Sequence, residues 1–66
     1  MIWFFERGGE RLRYEIRHGG ADAVYELEIT YPDGRIETEQ VQEAADLLHR
    51  CAARARALKD EGWRAA

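Results

Sequence analysis

Residues 3–16 read WFFERGGERLRYEI, Trp3 to Ile16, and this stretch carries its own pairing scheme. With Gly8 and Gly9 as a two-residue turn, Arg7 faces Glu10, Glu6 faces Arg11, Phe5 faces Leu12 and Trp3 faces Tyr14. Each pair is ionic or apolar on both sides, so the spacing predicts a β-hairpin of strands 2–7 and 10–18. Alternation along the second strand sends Leu12, Tyr14 and Ile16 to one face and Arg11, Arg13, Glu15 and Arg17 to the other. The first strand alternates poorly, because Ile2, Trp3, Phe4 and Phe5 are all apolar, which predicts that both of its faces are covered.

Downstream, the loop His18 to Asp22 contains paired glycines that permit a reversal, and a third strand is expected over 23–31. There Tyr25, Leu27, Ile29 and Tyr31 alternate with Val24, Glu26, Glu28 and Thr30. Tyr31-Pro32-Asp33-Gly34 then marks a type I turn with a bulge at Gly34, leading into a polar edge strand over 35–41. A two-residue and a three-residue loop differ by one position in register, so the sequence leaves the face of Ile36 open.

Helical periodicity is expected over 42–61. Steps of 100° collect Ala44, Leu47, Leu48, Cys51, Ala52, Ala55 and Leu58 on one face, with Asp46 and Arg50 forming an i,i+4 pair on the other. Gly62 followed by Trp63 has the pattern of a glycine C-cap whose next residue folds back as a lid, and residues 64–66 are expected to fray. The fold class is therefore α+β: a four-stranded antiparallel meander, order 1-2-3-4, with one C-terminal helix packed on one face. That face is expected to hold Trp3, Phe5, Leu12, Tyr14, Ile16, Tyr25, Leu27 and Ile29. In topology alone, such a unit resembles the repeat of the Whirly-type single-stranded-DNA-binding folds; no binding motif of that family falls on these residues.

At 66 residues the chain is expected to form one domain, and a domain of that size buries only about 60% of its unfolded surface. One cysteine, Cys51, allows no internal disulfide, so self-association or dense packing has to supplement the core. The N-terminus has neither a signal-peptide pattern nor a membrane-length apolar run, and a free cysteine suits a reducing compartment, so a cytoplasmic location is expected. Thirteen acidic and ten basic residues give a net charge of −3, which supplies no general attraction for nucleic acid.

The chain contains no Ser and no Asn, which removes the serine triads and the Asn-oriented thiol sites. Cys51 falls on the apolar helix stripe, where a desolvated thiol is unreactive. His49 lies about 200° round the helix from Cys51 and His18 at a loop edge, without further ligands at metal-binding spacing. Glu26 and Glu28 project from one strand face roughly 7 Å apart, a spacing that suits acid–base chemistry, but Arg13 and Arg17 share that face and predict ion pairs instead. No phosphate-loop pattern exists. The sequence thus predicts no enzyme activity, no cofactor and no metal.

What remains is an apolar patch on the face opposite the helix. The expected interface comprises Ile2, Phe4, Arg13, Glu15, Arg17, Val24 and Ile36, and the leading expectation is a homodimeric protein-interaction module using this patch or the small-residue helix face. The alternative is a single-stranded nucleic-acid-binding protein that uses Arg11, Arg13 and Arg17 beside Phe4.

Overall fold

The computed structural model describes residues 1–19 and 24–66. Four strands, β1 (Ile2–Arg7), β2 (Glu10–Gly19), β3 (Val24–Thr30) and β4 (Ile36–Val41), form an antiparallel meander, followed by the helix α1 (Ala44–Asp60). A fifth strand, β5 (Arg64–Ala65), pairs antiparallel with β1, so the sheet order is β4-β3-β2-β1-β5. The expectation that residues 64–66 fray is thus corrected: they hydrogen-bond to the free edge of β1, and the Ala66 amide donates to the Phe4 carbonyl at 2.9 Å. Of the loop expected over His18 to Asp22, His18 and Gly19 instead extend β2, paired with Tyr25 and Val24; the rest of that loop, and Ala23 at the expected start of β3, lie outside the described residues.

The first hairpin has the register that its sequence dictates, with Trp3 opposite Tyr14, Phe5 opposite Leu12, Glu6 opposite Arg11 and Arg7 opposite Glu10. Gly8 (φ 55°) and Gly9 (φ 83°) both adopt positive φ, as a type I′ turn requires, and its twist matches that of the strands it joins. The β3–β4 hairpin closes on a three-residue loop. Gly34 (φ 90°) donates to Tyr31 at 2.9 Å, and the Tyr31 amide donates to the Arg35 carbonyl at 2.8 Å. Ile36 consequently pairs with Thr30 and takes the face turned away from the helix.

Gly62 (φ 93°) ends the helix in a Schellman motif. Its amide donates to Lys59 at 3.0 Å, and the Trp63 amide donates back to Leu58 at 2.9 Å. Folding the chain back in this way seats Trp63 as a lid, 3% exposed, against the core of Leu12, Tyr14, Leu27, Ile29, Val41 and Leu58. Arg7 covers the other side of the lid, with its guanidinium 4.3 Å from the Trp63 ring centroid and Nη1 donating to the Glu61 carbonyl at 2.8 Å.

The helix links the two edges of the sheet and must cross its inner face to do so. Seventeen residues span about 25 Å, enough to traverse the roughly 19 Å between the outermost of five strands. The face it presents differs from the one expected. Leu47, Cys51, Arg54 and Leu58 point toward the sheet, whereas Ala44, Leu48, Ala52 and Ala55 are exposed, Leu48 by 72%. Ion pairs accompany this orientation. Glu37 and Glu39 of β4 lie on the helix side of the sheet, opposite Ile29 and Leu27, where the strand pattern alone would place apolar residues. Arg50 bonds Glu39, and Arg54 reaches Glu37 at 3.6 Å and Glu39 at 3.8 Å. With these arginines over β4, the helix is rolled toward that edge and Leu48 lies outside the core. The expected Asp46–Arg50 pair is replaced by Arg50–Glu39. Trp3, expected in the core, is 40% exposed because the rolled helix leaves its corner of the sheet uncovered.

Candidate functional site

Among the described residues, two surfaces present apolar side chains to solvent, the outer face of the sheet and the flank of α1 beside β1. The outer face carries every residue of the expected interface. The registers put Ile2 opposite Glu15, Phe4 opposite Arg13, Arg17 opposite Glu26, Gly19 opposite Val24, and Thr30 opposite Ile36. They share a face without forming a patch. Phe4 on β1 and Ile36 on β4 stand three strand spacings apart, about 14 Å, with Arg13 and Thr30 between them. Val24 sits at the far end of β3. The Arg11 guanidinium lies 5.2 Å from the Phe4 ring centroid, so even that ring is partly capped by charge.

The centre of the outer face is an ion network. Arg17 donates to Glu15 at 2.9 Å, Glu26 at 2.5 Å and Glu28 at 2.7 Å, while Arg13 reaches Glu15 at 3.3 Å. Glu15 and Glu28 are directly opposed in the register, a like-charge pairing that is unfavourable unless neutralised. Arg17 supplies that neutralisation from the adjacent pair. The Glu26–Glu28 spacing noted in the sequence is therefore occupied by a guanidinium, in the ion-pair arrangement expected from Arg17 sharing their face.

The helix side is different in kind. Along the seam between α1 and β1 runs an apolar hollow of about 180 Å³ lined by Trp3, Phe5, Tyr14, Cys51 and Ala55. Phe5 and Ala55 also border a wider hollow of about 620 Å³ that continues along Lys59, Gly62, Trp63, Arg64 and Ala65 to the β5 edge. Trp3 meets Tyr14 edge-on with ring centroids 5.6 Å apart, and Phe5 tilts against the same ring at 6.4 Å, so the aromatic wall is braced by quadrupole-favoured contacts. Leu48, two turns before Ala55, projects into solvent on the same flank.

Beneath this wall, the Tyr14 hydroxyl is buried without a hydrogen-bond partner. Burial first, and the neighbouring Cys51 thiol second, push its ionisation above the ordinary tyrosine value of 10.0. Tyr31 is shifted in the same direction by burial and by its hydroxyl donating to Glu37 Oε1 at 2.6 Å. A phenol whose folded-state ionisation lies above its unfolded value stabilises the fold fully below pH 10 and loses that contribution as pH rises through the folded value. Stability is therefore expected to fall above about pH 10, with phenolate absorbance in a spectrophotometric titration lagging that of free tyrosine until the fold opens. Superposition of the two titration curves would contradict the buried, neutral Tyr14.

Cys51 is half-buried and free, His18 stacks on Tyr25 with ring centroids 4.6 Å apart, and His49 is exposed on α1. Among the described residues, no three His, Cys, Asp or Glu side chains are placed to hold a metal ion. No helix among the described residues is long and apolar enough to cross a membrane.

The small-residue helix face was expected as one of two candidate interfaces, but not the hollow beside it or its lining by Trp3, Phe5 and Tyr14. One signal for the hollow does exist in the sequence: Glu37 and Glu39, two apart on a strand, match Arg50 and Arg54, four apart on a helix. That match accompanies the rotation of α1 and the exposure of Leu48. Compared with known proteins, the chain matches no family model, no curated protein and no solved structure.

Proposed function

We propose that the protein is a non-enzymatic interaction module that works as a homodimer. The observation that carries this reading is the continuous apolar hollow along α1 and β1, flanked by exposed Trp3 and Leu48, beside a core that is small for a free-standing chain. Surface area supports it. A folded monomer of 7.7 kDa exposes about 4300 Å², whereas this chain exposes 4766 Å². The excess of roughly 450 Å² is about half of one partner's share in a standard-sized interface. A free thiol at Cys51 suits a reducing, cytoplasmic setting for such a module.

Single-stranded nucleic-acid binding on the outer face has less support. Arg11, Arg13 and Arg17, the cations it requires, are each paired with carboxylates of the same face, and the net charge is −3. Sedimentation velocity of the full chain from low to high micromolar concentration is expected to show a concentration-dependent shift from monomer to dimer. A strict monomer over that whole range would overturn the reading.

A further inference from the structure

Resting on this self-association reading, we infer which surface makes the dimer: α1 packs antiparallel against α1 of a second copy, and each protomer's Leu48 fills the hollow beside the other's Ala55. A two-fold contact needs a protrusion and its matching recess on one patch, so that each copy supplies both. The flank of α1 has this arrangement. Leu48 protrudes, 72% exposed, and the recess at Ala55 lies seven residues on, about 10.5 Å along the same helix flank. Ala52 between them keeps the surface low, so two such helices can approach closely.

The narrow end of the hollow, about 180 Å³, suits one aliphatic side chain, and the wider part, about 620 Å³, leaves room beside it for the rest of the partner helix. The walls of the narrow end, Trp3, Phe5, Tyr14, Cys51 and Ala55, offer such a side chain apolar contact on several sides.

Charge sets the direction. Lys59, at the C-terminal end of the flank, and Arg64 line the wider hollow. Glu43 is the N-cap of α1, whereas Asp46, in the first turn, lies about 160° round the helix from Leu48 and takes no part in this contact. None of Lys59, Arg64 and Glu43 forms an ion pair among the described residues. An antiparallel pairing that sets Leu48 against Ala55 brings the basic end of each helix to the acidic end of its partner, whereas a parallel pairing would set like charges together. It also opposes the two helix dipoles. The outer face offers no comparable match, since Ile2 and Phe4 on β1 are separated from Ile36 on β4 by Arg13, Glu15, Glu28 and Thr30.

The test is sedimentation velocity on the full chain and three variants, with circular dichroism confirming that each is folded. Leu48→Glu places a charge in the partner's recess, and Ala55→Phe fills the recess without adding charge. Both are substitutions at exposed helix positions and are expected to raise the dimer dissociation constant by about tenfold or more. Ile36→Glu on the outer face is expected to leave it unchanged. If the wild-type chain dimerises and Leu48→Glu and Ala55→Phe leave the dimer intact, the inferred surface is wrong, while self-association stands. An equal or greater loss with Ile36→Glu would likewise overturn it, and would move the interface to the outer face. A wild-type chain that stays monomeric at every concentration removes both the surface and the reading on which it rests.

Discussion

Trp63→Ala is expected to cost about 3–5 kcal/mol of folding free energy, in the range of large aromatic truncations in cores. For 66 residues the whole stability is of order 3–10 kcal/mol, so the variant should lose from about a third of it to all of it. The effect is large because the side chain serves three attachments at once. It closes the core from the end that the helix leaves open, and it supplies the apolar contact of the Schellman motif, in which its own amide donates to Leu58. It also forms the surface on which Arg7 stacks. Losing it is expected to loosen β5 as well, because Arg64 and Ala65, which follow it directly, pair with β1. Urea unfolding followed by far-ultraviolet circular dichroism measures the change. A loss below about 1 kcal/mol would mean that the lid is dispensable and that the core is complete without it.

Leu58→Ala and Leu48→Ala should differ sharply, although the two residues share the apolar stripe in a helical projection. Leu58 is 3% exposed and packs among Leu12, Tyr14 and Trp63. Its truncation leaves a cavity in a core with little redundancy and is expected to cost about 2–5 kcal/mol. Leu48 has almost nothing to lose in the monomer, and its truncation should fall within about 0.5 kcal/mol. The comparison belongs at a protein concentration low enough for the monomer to dominate, because a dimer through Leu48 would add a concentration-dependent term to its stability. Equal losses at the two positions would show that the helix is not rolled as Arg50 and Arg54 hold it.

Much of the sheet was legible in the sequence because its determinants are local. Two adjacent glycines specify a turn with positive φ at both positions, and once that turn is placed, side-chain alternation leaves no freedom in pairing Trp3 with Tyr14 or Phe5 with Leu12. The Schellman end of α1 was legible for the same reason, since a glycine followed by a tryptophan encodes both the reversal and the contact that rewards it. The loop at Pro32-Asp33-Gly34 was readable in type. Its consequence for Ile36 was not, because a one-residue difference in loop length inverts the face of every residue that follows.

The candidate interface was legible only in part. Ile2, Phe4, Val24 and Ile36 do lie on one face, as alternation and the loop register require. Whether they touch depends on their spacing across strands that are distant in sequence, and there Arg13, Arg17, Glu26 and Glu28 intervene. The apolar stripe of α1 misled for a related reason. A helical projection ranks residues by hydrophobicity around one axis and treats arginine as solvent-facing, yet Arg54 turns inward because two carboxylates of β4 wait beneath it.

By itself, the sequence determined the hairpin, the meander order, the register of β1 on β2, the extent of α1 within two residues at either end, and the lid at Trp63. These follow from turn chemistry, alternation and capping, which act over a few residues and need no partner from elsewhere. Only the tertiary structure decided the roll of α1, the capture of the C-terminus as β5, and the position of the apolar hollow between Leu48 and Trp3. Each of those depends on long-range contacts between elements distant in sequence, and the ion pairs from Arg50 and Arg54 to Glu37 and Glu39 accompany the roll that leaves Leu48 exposed.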